Sequence, residues 1–152
     1  MRFHVLAPTR AWHRRCSVLV GSARNDKPTS KEKLKNRVLV IDQDRATREE
    51  LGLACLGRNV AVAFAENVCE GVRMLLTLPV SLVVVDAASM RMTMREHVVL
   101  FDRVAPGVPV VVTVPAETSL EVRVRFEIAG FRVLTQPVTA EDLLDKPLEP
   151  RV

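Results

Sequence analysis

From Arg37 onward, apolar and polar positions alternate in blocks that fit short buried strands and amphipathic helices. Val38-Leu39-Val40-Ile41 is a β-branched run that ends at Asp42, the pattern of a strand covered on both faces. Ala46 to Leu56 reads as a helix, with Thr47 placed to cap it and Glu49 and Glu50 in its first turn. A second strand is expected over Asn59 to Ala65. A second helix follows over Glu66 to Leu78, presenting Val68, Val72, Leu75 and Leu76 on one face until Pro79 stops it. Leu82-Val83-Val84-Val85 repeats the first strand and again ends in an acid, Asp86. The remaining elements are a helix over Thr93 to Val104, a strand over Val108 to Val114 and a helix over Ser119 to Ala129 closed by Gly130. A strand over Phe131 to Leu134 and a short helix from Thr139, cut off at Pro147, complete the series.

Strict alternation of five strands with five helices predicts an α/β fold: one doubly wound parallel sheet with helices on both faces. In such sheets the working site lies beyond the carboxyl ends of the strands. That rule selects Asp42 to Asp44, Asp86 to Ala88, Thr113 to Pro115 and Gln136. Asp42, Asp44 and Asp86 are hard oxygen donors suited to Mg²⁺ and a phosphoryl group, and a carboxylate nucleophile can become an acyl phosphate. Strand-end acids also serve simply as caps of the next turn. For Asp44, which directly precedes a helix, capping is the expected role.

The chain has 152 residues, enough for one domain of ordinary size. Its net charge of +4 divides unevenly. Residues 1–36 hold nine Lys/Arg and two acids, +7, and the rest of the chain is −3. The basic excess therefore belongs to an N-terminal extension, read as disordered, and not to the domain of residues 37–146; residues 147–152 are a tail. A nucleic-acid or acidic-surface function would rest on that extension alone and is disfavoured. Aromatics are 4%, with no Tyr, which argues against a base-stacking platform. No apolar run is long enough to span a membrane.

Cys16, Cys55 and Cys69 form no CxxC pair. Cys55 and Cys69 are expected as buried free thiols, consistent with a cytoplasmic protein. No GxGxxG, GxxxxGK[ST] or GxSxG motif occurs. His4, His13 and His97 are scattered, and His97 is expected at a helix surface or core edge.

The order and spacing of Val38 to Asp42, Leu82 to Asp86, Pro109-Val110-Val111-Val112, Ala129-Gly130 and Leu134-Thr135-Gln136-Pro137 resemble the receiver domain of two-component response regulators. The resemblance covers about residues 37–146. It implies a flavodoxin-like strand order 2-1-3-4-5, an order the general account of doubly wound folds illustrates with a member of this family. It also implies a phosphoacceptor at Asp86 and Mg²⁺ held by Asp42, Asp86 and the Ala88 backbone carbonyl. A histidine kinase, a phosphotransfer protein or another signalling protein is the implied partner.

Several family positions are altered. The second acid after strand one is Gln43, which weakens the expected metal site. Counted without gaps between Asp86 and Gln136, the switch hydroxyl falls on Val114. Thr113 is adjacent but expected on the opposite face, so the hydroxyl is read as absent. The lysine position is Gln136 and the aromatic switch position is Val133. The expectation is a degenerate receiver, not an enzyme beyond self-phosphorylation on Asp86, with impaired switching. It would act as an interaction module through a surface of helix four, strand five and helix five, on or near which lie Arg123, Arg125 and Arg132. A competent stand-alone receiver is the alternative. The short last helix, by exposing apolar surface, favours a homodimer or another docking event.

Overall fold

The computed structural model describes residues 36–146. The expected extension and the tail beyond Lys146 lie outside the described residues, Asn36 apart. Five strands, β1 (Arg37–Ile41), β2 (Ala61–Ala65), β3 (Leu82–Asp86), β4 (Val110–Val114) and β5 (Arg132–Thr135), form one parallel sheet in the order β2-β1-β3-β4-β5. Between and after them run α1 (Arg45–Leu56), α2 (Val68–Thr77), α3 (Met94–Val104), α4 (Leu120–Ile128) and α5 (Ala140–Leu144). A 3₁₀ turn, Ala87–Ser89, follows β3. The expected order and fold class are those observed.

Strand periodicity divides the core in two. Leu39, Ile41, Val83, Val85, Val112 and Val114 face α2, α3 and α4. There Phe101 and Phe126 meet Phe131 edge-on, with ring centroids 6.3 Å and 6.5 Å away. Val38, Val40, Leu82, Val84 and Val111 face α1 and α5, against Leu51 and Leu143. Both faces of the three central strands are covered, which is why those strands read as unbroken apolar runs.

Several local expectations are corrected. Thr47 does not cap α1; Asp44 does, in the role expected for it, its carboxylate accepting the Thr47 backbone N–H at 3.2 Å. β2 starts at Ala61 because Asn59 turns the chain at φ 60°. Leu76 is exposed, at the outer edge of the stripe on α2. Cys55 is buried but Cys69 is exposed near the start of α2. His97 is fully buried: its Nδ1 donates to the Thr93 carbonyl at 2.9 Å, while Nε2 has no hydrogen-bond partner.

Two helix glycines mark close approaches. A Cβ at Gly71 would stand 2.5 Å from Ile41 Cδ1 and 2.9 Å from Ile41 Cγ1, and Ile41, the last residue of β1, is fully buried. A Cβ at Gly52 would meet the ring of Phe64, which sits on an edge strand and is partly exposed. Gly71→Ala is therefore expected to cost about 1 kcal/mol net, overpacking outweighing the helix-propensity gain. Gly52→Ala should be close to neutral, because the Phe64 ring has solvent to move into. Paired urea melts check the contrast; equal costs at both sites would refute it.

Candidate functional site

The carboxyl ends of β1, β3 and β4 and the segment after β5 open onto one cleft of about 540 Å³. Register decides which side chains enter it. Asp86 stands opposite Thr113 across β3 and β4. In a parallel pair, residues in register point to the same face, and every second residue along each strand shares it. Asp42 continues the Val38, Val40 series; Asp86 continues Leu82, Val84; Thr113 follows Val111. All three leave the sheet on the α1/α5 side and line the cleft, together with Gln136.

The structure thus places the hydroxyl differently from the expectation. The alternation holds, but Thr113 is the residue on the acidic side, and it is almost wholly buried there. Val114 points into the opposite core layer with Val85 and Val112. Val133 packs at the edge of that same opposite layer.

Gln43 is exposed and does not line the cleft. Ala88 lies exposed in the 3₁₀ turn and is also not among the lining residues. The Asp44 carboxylate is occupied by Thr47, so it serves as a cap. Arg123 and Arg132 are half-buried, and Arg132 donates to the Asp142 carbonyl at 3.2 Å. Arg125 is paired with Glu121 at 2.6 Å on the surface.

The electrostatics of the cleft are set by two carboxylates with little compensation. Burial pushes the Asp42 carboxyl above its ordinary value, against the pull of the Asp44 N–H that it accepts at 2.8 Å. Burial also raises Asp86, and the neighbouring Asp42 charge raises it further; the backbone amides of Ala88 and Ala87 partly offset this. Glu50 and Glu117 line the same cleft, and among the described residues no Lys or Arg does.

Sequence reasoning missed Arg48. Its guanidinium is mostly buried, donates to the Asp42 carbonyl at 2.9 Å and lies 3.6 Å from Glu66. It steadies the backbone carrying Asp42 without entering the cleft. The one available signal was its position a single helical turn beyond Asp44, on the face that returns to the strand end.

Two converging carboxylates fit a hard divalent cation such as Mg²⁺, which keeps several waters and takes one or two protein carboxylates. Asp42 and Asp86 line the same cleft, and the charge on Asp42 helps to raise the Asp86 carboxyl. Among the described residues, no group of three or more His, Cys, Asp or Glu side chains assembles as a metal cluster.

No protein-family model matches the chain, and no curated protein matches it in sequence. Solved structures do match. The receiver domain of NtrC4, solved as a beryllofluoride-activated dimer, superposes with a TM-score of 0.62 at 19% identity. That match covers 71% of this chain and 89% of the other. A CheY-like receiver domain protein from Methanospirillum hungatei gives 0.61 at 23% identity, covering 72% and 88%. A response regulator from Burkholderia pseudomallei, solved with a phosphorylated aspartic acid, calcium and citrate, gives 0.62 at 22% identity, covering 72% and 64%.

The fold is that of response regulator receiver domains. The receiver fold accounts for the strand order and for the convergence of strand-end residues on one cleft. No helix among the described residues is long and apolar enough to cross a membrane.

Proposed function

We propose that this chain is a receiver-type module of two-component signalling that keeps a phosphoacceptor site on Asp86 but couples it weakly to its output surface. One observation carries the reading. Asp42, Asp86 and Thr113 converge on a single cleft, and Gln136 stands there with no cationic side chain beside it among the described residues. In the reaction, an Asp86 carboxylate oxygen attacks the phosphorus of a phosphohistidine or a small acyl phosphate. A P–O bond to Asp86 forms, and the donor's P–N or P–O bond breaks with its electron pair leaving on the donor. Mg²⁺, when bound, neutralises charge between the carboxylates and the incoming phosphoryl oxygens. Asp42 and Asp86 would hold it. Thr113 offers a hydroxyl to a phosphoryl oxygen. The Gln136 amide offers a neutral hydrogen bond where a charge-assisted one is about twice as strong.

A switch moves only as far as its ligand binds one state better than the other. Without a cation in the cleft, phosphorylation has one weaker handle on the fold. The chain then acts mainly by presenting a surface. α4 supports this role: Leu120 and Ile128 are 68% and 81% exposed, and only Phe126 of that helix is buried. Histidine kinases or phosphotransfer proteins on the input side, and a signalling protein or second copy on the α4 side, are the partners this reading names. The free thiols Cys55 and Cys69 support a cytoplasmic setting.

Intact mass after incubation with acetyl phosphate and Mg²⁺ tests the site. One phosphoryl group is expected on the wild-type chain and none on Asp86→Ala. Equal uptake by both would remove Asp86 from the role. Uptake by neither would leave phosphorylation from a small donor unsupported and turn the search to a constitutive binding partner.

A further inference from the structure

Four carboxylates share the cleft at the strand ends. Asp42, Glu50, Asp86 and Glu117 line it, and among the described residues no Lys or Arg does. Arg48 offsets part of the Asp42 charge, but from outside the cleft. Glu50 and Glu117 are exposed at the rim, and among the described residues neither enters an ion pair. A cation entering the opening is attracted by all four acids.

Thr113 adds an independent sign of a ligand. It is 5% exposed, lines the cleft opposite Asp86 and makes no side-chain hydrogen bond among the described residues. A hydroxyl withdrawn from water in this way costs free energy until a partner meets it. Asp42 holds a further open acceptor. Its Oδ1 takes the Asp44 N–H at 2.8 Å, while its Oδ2 accepts from no donor among the described residues. With Asp86, these acceptors leave the sheet on one side and line one space. A primary ammonium carries three donors and no acceptor, which matches two carboxylates and a hydroxyl.

Size and wall chemistry extend the ligand beyond a single ion. The volume, about 540 Å³, falls within the range of small-molecule sites, about 300–1,000 Å³. Pro115, Pro137 and Val138 line the cleft with part of their surface still open, which suits methylene groups. Glu50 and Glu117 stand at the rim, outside the buried Asp42, and suit a second positive charge. We propose that this cleft binds a short aliphatic diamine. One ammonium meets Asp42, Asp86 and Thr113, the alkyl chain runs along Pro137 and Val138, and the second ammonium meets the acids of the rim. The ligand occupies the same acids as the phosphoacceptor site, and it excludes Mg²⁺ from them. Its binding needs no phosphoryl transfer.

The test is a titration of the isotope-labelled full chain with 1,4-diaminobutane at pH 7, read by amide chemical shifts with no phosphodonor present. Both amines are charged at that pH. Saturable shifts at Asp86, Thr113 and Gln136 are expected, and sodium chloride at equal ionic strength should not reproduce them. n-Butylamine, which has no charge for the exposed rim, should bind about threefold more weakly. Gln136→Lys supplies an ammonium from within the chain and should weaken diamine binding about tenfold, as should Asp86→Asn by removing a charged acceptor. Glu127→Gln, at an exposed acid outside the cleft, should change nothing. Mg²⁺ should compete with the diamine. Shifts reproduced by sodium chloride, equal affinity in wild type and Gln136→Lys, or simultaneous binding of Mg²⁺ and diamine would each overturn the proposal. Equal binding of n-butylamine would remove the second charge and with it the diamine. A chain that takes a phosphoryl group on Asp86 but ignores the diamine loses this ligand alone. A chain that binds the diamine but takes no phosphoryl group keeps it and loses the phosphoacceptor.

Discussion

Asp86→Asn is expected to make the chain more stable at neutral pH, by about 1–2 kcal/mol, or several degrees in Tm. The reasoning starts from Asp42 and Asp86, two carboxylates withdrawn from water and held near each other. Loss of hydration is the larger cost for both, and the charge on Asp42 adds to it at Asp86. Backbone amides return part of that cost, but among the described residues no cationic side chain lines the cleft. Arg48, which donates to the Asp42 carbonyl and lies 3.6 Å from Glu66, offsets a smaller part at Asp42 from outside the cleft. Asparagine keeps the shape of Asp86 and removes the repulsion.

The pH dependence has a definite sign. A carboxyl whose folded pKa lies above its unfolded value binds its proton more tightly in the native state, so stability falls as pH rises through the interval above the ordinary 3.8. Asp86→Asn should flatten that slope. The helix caps behave oppositely. Asp44, Glu96 and Asp142 are held below their ordinary values, chiefly by hydrogen bonds from Thr47, Thr93 and Thr139, so their contribution is lost only as pH falls below that range. Melts of both chains from pH 4 to pH 8, with and without Mg²⁺, separate the two groups. Mg²⁺ should raise the wild-type Tm and close most of the gap to the variant, because only the native acid pair binds it. A destabilised Asp86→Asn chain, or an unchanged slope, would show that the pair is compensated by something else.

These effects depend on features that differed in how far the sequence exposed them. The sheet was legible because Val38 to Ile41, Leu82 to Val85 and Val110 to Val112 are buried on both faces and admit no helical period. Asp42 and Asp86 were legible because strand ends in such a sheet converge whatever the loops do. Thr113 was not, because its face depends on the register of β3 with β4, a relation between segments 27 positions apart. A signal was present all the same. Thr113 is the one polar side chain in Val110 to Val114, and a hydroxyl is better satisfied at a polar cleft than inside the layer that holds Phe101. Asp44 and Thr47 competed for one cap, and the carboxylate prevailed by accepting both the backbone N–H and the hydroxyl of Thr47. The burial of His97 was hidden by its chemistry. A polar residue on the inner face of α3 breaks the apolar stripe, although its Nδ1 finds the Thr93 carbonyl one turn back.

Restoring a cation should have the clearest consequence for signalling. Gln136→Lys introduces an ammonium group at a cleft that already holds Asp42, Asp86, Glu50 and Glu117. In the unphosphorylated chain it should stabilise the fold by about 1 kcal/mol, and most of that gain should vanish in the Asp86→Asn background, since contacting charges couple in double-mutant cycles. In the phosphorylated chain the lysine replaces a neutral hydrogen bond by a charge-assisted one. The phosphoryl group then discriminates more strongly between conformations of the receiver fold. A gain of about tenfold in the phosphorylation-dependent shift of α4 is expected, equivalent to roughly 1.4 kcal/mol of added coupling. Amide exchange across Leu120 to Ile128, measured with and without acetyl phosphate, reads it directly. If the variant takes up phosphate as wild type does, shows no stabilisation and moves α4 no further, position 136 does not meet the phosphoryl group. Weak coupling would then need a cause other than the missing charge. If the stabilisation appears but the α4 response does not, the cation has been restored to the acid pair alone, and the limit lies between Thr113 and α4.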